Sequence, residues 1–180
     1  PGIVLDVSGE HLTPSLVDGL LSHRFDVAIL RPPVASPEID YIRAASEPLV
    51  AAVSAQSELA DRDRLSLDDL ADRDFVGYPA NSAVAQSITA AFHNHEAYPR
   101  VVQTARETST LLSLVAAGFG VSLVPQSATS LQIGGTVYIP VDGAPKAELA
   151  VAWRRNESTP AVLTFISFIQ NHLEELKTHQ

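Results

Sequence analysis

Cysteine is absent from the 180-residue sequence, which removes disulfides, thiolate metal ligands and cysteine nucleophiles and leaves the compartment open. Methionine is absent too, including at position 1, so the chain is read as a processed or excised piece. Basic residues are few: 12 Lys and Arg stand against 21 Asp and Glu, for a formal net charge of −9 and a pI near 5.0. They are also scattered, whereas duplex DNA demands clustered cations against its phosphates, so these residues are not expected to hold DNA themselves. No apolar run approaches the roughly 20 residues that span a bilayer, which argues against a membrane protein. No cationic, apolar, small-residue leader opens the chain, so nothing in these residues points to export.

What is present is ordinary for a well-packed soluble protein: 46% apolar residues, 18% charged residues and a mean hydropathy of +0.10. The length suits one large domain or two small lobes. Residues 3–7 have strand composition, ended by Ser8-Gly9. Thr13 and Pro14 read as N-cap and first helical residue, and Leu16, Val17, Leu20 and Leu21 form one apolar helix face. Residues 26–30 are a short apolar strand, so the order is strand, helix, strand, a βαβ unit with a parallel sheet. Residues 41–55 read as extended, with Pro48 marking an edge or crossover. Residues 57–74 are charged and irregular, with a short turn at 67–70.

A second alternation follows. Residues 75–78 are a strand, Asn81 or Ser82 caps a helix with Val84, Ile88, Ala91, Phe92 and His95 on one face, residues 99–104 are a strand and 108–117 a helix. Residues 121–124 and 136–139 are extended, 147–153 form a longer strand, and Thr159-Pro160 opens a closing helix striped by Val162, Phe165, Ile166, Ile169, Leu173 and Leu176. The expected architecture is α/β: two βα lobes joined by two crossover strands, near residues 48–53 and 147–151, with the last helix returning to the first lobe.

The helix-to-strand junction Ser113-Leu-Val-Ala-Ala-Gly-Phe-Gly-Val-Ser-Leu-Val-Pro125 carries the most information. Gly118 stands where a helix end takes a left-handed conformation, and Gly120 is read as permitting close packing of helix on strand. The order is the reverse of a dinucleotide fingerprint, which runs strand, glycines, helix. In order and composition the segment resembles the effector-binding domain of LysR-type transcriptional regulators. So do Phe25-Asp-Val-Ala-Ile-Leu30, Glu47-Pro-Leu-Val50, Leu65-Ser-Leu-Asp-Asp-Leu70 with Asp74-Phe-Val76, and Leu149-Ala-Val-Ala-Trp-Arg-Arg155 with Pro160-Ala161. Ser57-Glu58-Leu59-Ala60 departs from the family's frequent His-Pro-Leu-Ala.

The resemblance implies a type II periplasmic-binding-protein-like fold, with a first lobe from 1–49 plus 148–180 and a second from 50–147, beginning at about the family's second strand. It implies a cytoplasmic regulatory domain that senses a small anionic metabolite in the interlobe cleft, forms a homodimer or tetramer, and reaches DNA only through a helix-turn-helix outside this chain. The alternative of another class is a secreted solute-binding protein of a transporter, which shares the two-lobed architecture.

Effector contacts are expected where strands end and helices begin. Ser8, Gly9, Glu10 and His11 form one such loop, although Gly9 making the turn and Ser8 capping it explain the same residues, and Glu10 would repel an anion. Arg31 follows a buried strand and could pair bidentately with a carboxylate, or make a local surface salt bridge. Tyr78, Pro79, Asn81 and Ser82 lead from strand to helix, where capping and binding are compatible. Thr104 and Thr108 occupy the next strand end and helix start. No catalytic constellation, cofactor motif or metal site is expected. The six histidines include no metal-ligand spacing, His93 and His95 falling on different faces of a helix. No serine stands in a nucleophile elbow.

Overall fold

The computed structural model describes residues 2–9 and 11–178. In chain order the elements are α1 (Thr13–Leu21), β1 (Val27–Leu30), β2 (Ile39–Ser54), β3 (Leu65–Ser66), α2 (Asp68–Ala71), β4 (Asp74–Gly77), α3 (Ala83–Asn94), β5 (Arg100–Thr104), α4 (Thr108–Ala116), β6 (Ser122–Pro125), a 3-10 turn at Gln126–Leu131, β7 (Thr136–Asp142), β8 (Lys146–Arg154) and α5 (Pro160–Thr178). The chain divides into two compact units, 1–45 with 148–180 and 46–147. The long strands β2 and β8 each contribute residues to both.

In the first unit β1 pairs antiparallel with β8, from Val27 opposite Trp153 to Leu30 opposite Ala150. Alternation sends Ala28 and Leu30 into a core with Leu20, Ile39, Ala150 and Ala152, and turns Ile29 outward. Helix α1 begins with Leu12 as N-cap, not Thr13. The Thr13 hydroxyl is already committed: it donates to the Arg31 carbonyl at 2.8 Å and accepts from the Arg31 amide at 3.2 Å. The far end of α1 is tied down by Arg154, whose side chain is 12% exposed. Its guanidinium donates to the carbonyls of Leu20 (3.0 Å) and Phe25 (2.6 Å) and to the carboxylates of Asp26 and Glu157. Glu157 in turn accepts the amides of Ser158 and Thr159 just before α5.

The expected strand at residues 3–7 does not form: among the described residues none pairs with it, and Val4 and Val7 are 95% and 85% exposed. Strand composition records fitness for a pleated surface, but a strand exists only with ladder partners. With that strand absent, the expected βαβ unit is absent too, and β1 takes its ladder from β8.

In the second unit β4 and β5 are parallel, with α3 between them in sequence. Ser82 is the N-cap of α3, its Oγ accepting from the Ala85 amide at 3.1 Å. Val84, Ile88 and Phe92 are buried, and Phe92 meets Phe75 edge-on with ring centroids 6.0 Å apart. His95 lies outside that buried face as the C-cap, paired with Asp68 at 3.7 Å. Helix α4 packs on a patch in which β2 pairs antiparallel with β6 on one side and β7 on the other. Gly118 ends α4 at φ +83. The reading of Gly120 as a helix-on-strand contact is corrected: a Cβ there would sit 2.3 Å from the Asp74 carbonyl oxygen, so the close approach is to the backbone of β4. That approach is held by Val121 N–H to Asp74 O and Val76 N–H to Val121 O, both 2.8 Å.

Candidate functional site

Two parallel strands, each followed by a helix, bring their C-terminal ends and the two helix starts to one edge of the second unit. Gly77 of β4 lies opposite Thr104 of β5, and the Ala105 amide donates to the Gly77 carbonyl at 3.0 Å. Tyr78 leaves β4 buried, and its hydroxyl lies 3.0 Å from Oγ1 of Thr108, the first residue of α4. This bond joins the side chains of two expected site residues. Ser82 is buried and spends its hydroxyl on capping α3. Pro79 receives the Ser82 amide on its carbonyl at 2.8 Å, shaping the turn, while Asn81 and Thr104 are exposed. The N-cap of α4 is Glu107, whose side chain makes no capping hydrogen bond to the first-turn amides. The edge therefore combines two hydroxyls and two helix starts, an arrangement that favours a polar or anionic group.

In the first unit Arg31 follows β1, and its guanidinium reaches the Glu148 carbonyl at 3.4 Å. The reciprocal bonds with Thr13 fasten the Arg31 backbone to the start of α1. Sequence reasoning missed this role of Thr13. The signal for it was the helix-then-strand order, which sets a helix start beside the following strand's end. The Glu148 carboxylate is engaged separately, accepting from Arg43 Nε at 2.7 Å. Ser8 Oγ and His11 Nε2 are 2.9 Å apart, and the His11 ring lies 5.3 Å from that of Phe25. Gly9 is exposed, with nothing within 4 Å of a hypothetical Cβ, so nothing steric demands glycine there. Ser8 and Gly9 do not cap a strand, because residues 3–7 form none. Glu10 lies outside the described residues.

A cavity of about 470 Å³ opens at the opposite ends of β4, β5 and β6, lined by Ser54, Ser57, Arg73, Asp74, Arg100 and Gly118 among others. Arg73 and Arg100 are already paired there with Glu58 and Asp74. It sits at strand starts, away from the Tyr78–Thr108 pair and the starts of α3 and α4. Among the described residues no group of three His, Cys, Asp or Glu is placed to hold a metal ion. No helix among them is long and apolar enough to cross a membrane.

A family model of the LysR substrate binding domain matches residues 1–174, and the chain belongs to that family. It is 32% identical over 151 residues to the Hca operon transcriptional activator HcaR of Escherichia coli (strain K12), covering 82% of this chain and 51% of that protein. Among solved structures it is similar to the effector binding domain of QuiR in complex with shikimate, with a TM-score of 0.84 and 21% identity over 92% of this chain and 79% of that one. It is also similar to the BenM effector binding domain with its effector benzoate, with a TM-score of 0.73 and 26% identity over 93% of this chain and 78% of that one. The fold is the type II periplasmic-binding-protein-like fold of LysR effector-binding domains. The chain spans about half the length of curated relatives it matches. The transporter alternative draws no support from these relatives.

Proposed function

We propose that this chain is the effector-sensing part of a LysR-type transcriptional regulator and that its ligand is a small carboxylate. The observation that carries this is the Tyr78–Thr108 hydroxyl pair at 3.0 Å, set where β4 and β5 end and α3 and α4 begin. Two hydroxyls can reorient to donate to an oxyanion, and the uncapped first turn of α4 adds backbone amides and the positive end of a helix dipole. Benzoate, the effector of BenM, is a carboxylate, which agrees in chemistry. Arg31, in the first unit, is a separate candidate for pairing with a carboxylate. The family's chemistry is binding and not catalysis, and no catalytic role is assigned to any residue.

The remaining parts of the whole regulator follow from the family. The acidic balance of −9 is unsuited to duplex DNA, so the operator is gripped by a helix-turn-helix outside these residues. The protein works in the cytoplasm as a homo-oligomer. The ligand acts by binding one conformation of the protein more tightly than another.

Calorimetric titration of benzoate and related small carboxylates tests the site. Thr108→Val removes one hydroxyl at nearly constant volume and should weaken the best carboxylate by about 1 kcal/mol, roughly fivefold. Arg31→Ala tests the first unit's candidate by itself and should weaken carboxylate binding there by about 2 kcal/mol. Affinity unchanged in both variants, with circular dichroism intact, would remove these residues from the site.

A further inference from the structure

The cavity at the starts of β4, β5 and β6 takes no part in the proposed carboxylate site, and its lining residues all belong to the second unit. Its wall forms where the chain turns into strands. Asp72, Arg73 and Asp74 lead from α2 into β4, Arg100 opens β5, and Gly118 stands between α4 and β6. Gly118 and Gly120 both line it, so the helix-to-strand junction that dominates the sequence borders this cavity. A Cβ on Gly118 would meet nothing within 4 Å, which leaves that side of the cavity open.

Two carboxylates and two guanidiniums line the same space, and their formal charges cancel. An ion of one sign therefore gains little from the set as a whole. Opposite charges nevertheless stand side by side, since Arg100 Nε donates to Asp74 Oδ1 at 2.7 Å. Nη2 of Arg100 is directed at the same oxygen, so Asp74 Oδ2 has no partner among the described residues. A guanidinium has five N–H donors, and some of those on Arg100 stay open. Arg73 spends Nη2 on Glu58 at 2.6 Å and keeps its other donors. The Asp72 carboxylate has no partner among the described residues. The Arg100 side chain is 78% exposed, and ion pairs so exposed are weak enough to admit a third charged group. Helix α4 ends two residues before Gly118, and a helix C-terminus favours a cation.

We propose that this cavity binds a free α-amino acid as its zwitterion. Arg100 receives the ligand carboxylate and Asp74 Oδ2 its ammonium, with Arg73 and Asp72 as the flanking charges. An α-amino acid carries both charges on one carbon, so it matches two opposite charges that are themselves in contact. A simple carboxylate or a simple amine satisfies only half of the set and meets repulsion from the other half. At about 470 Å³, the cavity falls in the range of roughly 300–1,000 Å³ typical of small-molecule sites. That volume leaves room for a ligand side chain near Ser54 and Ser57. The site is separate from the Tyr78–Thr108 edge, and its occupancy does not depend on what that edge binds.

Calorimetric titration of the chain with each of the standard amino acids is the test. At least one should bind saturably at millimolar concentration or below. Its N-acetyl and amide derivatives, each lacking one of the two charges, should bind about tenfold more weakly or worse. Arg100→Gln and Asp74→Asn should each weaken the parent amino acid by about tenfold, with the circular dichroism spectrum unchanged. Absence of saturable binding by every amino acid would overturn the proposal. So would a derivative that binds as tightly as its parent, or an affinity that either variant leaves unchanged.

Discussion

Replacing Gly120 with alanine puts a methyl carbon 2.3 Å from the carbonyl oxygen of Asp74, 2.7 Å from its carbonyl carbon and 3.2 Å from the Phe75 nitrogen. All three are backbone atoms of β4, so no side chain can swing aside. Relief requires the entry to β6 to withdraw by about 1 Å, against two hydrogen bonds of 2.8 Å between Val121 and β4. Losing those buried bonds costs about 1 kcal/mol each, and alanine at a φ of +156 adds strain of about 1–3 kcal/mol. The expected loss is about 3–5 kcal/mol, a large share of the roughly 5–15 kcal/mol that stabilises a domain. Thermal unfolding by circular dichroism should therefore fall by roughly 10 °C. Two other glycines calibrate the result. Gly118→Ala, at φ +83 with no neighbour within 4 Å, should lose only about 1–2 kcal/mol. Gly9→Ala, in open space, should lose almost nothing. Equal losses at Gly118 and Gly120 would refute the steric reasoning. The same variant should weaken ligand binding, since the contact between β4 and β6 fixes the frame in which α4 holds Thr108 over Tyr78.

Burial pushes the Glu157 carboxyl upward, but hydrogen bonds from Thr159, Arg154 and Ser158 outweigh it and hold the group at about 2, against an ordinary 4.5. Because the folded value is depressed, the stabilisation is complete above about pH 4.5 and is lost as pH falls toward 2. Melting temperature followed between pH 6 and 2.5 should thus drop more steeply in the parent protein than in Glu157→Gln, and parallel curves would contradict the assignment. The 180 residues alone should show no sequence-specific binding to operator DNA at physiological salt by fluorescence anisotropy. A saturable, specific signal would overturn the division of labour proposed for the regulator.

Local signals carried most of what could be read from the sequence. Pro14 and Ser82 mark true helix starts, and the periodicity of Val84, Ile88 and Phe92 marks the buried face of α3. The alternation of β4, α3, β5 and α4 was legible because each element is defined within its own few turns or residues. Pairing was not. Residues 3–7 have strand composition, yet composition cannot say whether a neighbour exists, and the partner of β1 lies more than a hundred residues away at Val27 and Trp153. The site shows the same split. Its helix starts were visible, but the bond between Tyr78 and Thr108 and the grip of Thr13 on Arg31 depend on how distant segments meet. Gly120 was rightly singled out as a close approach, and only its partner, the backbone of β4, was misjudged.

Carboxylate recognition at the ends of β4 and β5 is the proposed role of this domain. Thermal unfolding in the presence of small carboxylates, benzoate included, and of their methyl esters tests it most directly. At a ligand concentration of about 100 times the dissociation constant, mass action adds about 2.7 kcal/mol, a rise of roughly 5–10 °C for a domain of this size. At least one carboxylate should stabilise the protein, and its ester, stripped of the charge, should not. An ester that stabilises as well as its acid, or a panel of acids that leaves the melting temperature unmoved, would contradict it.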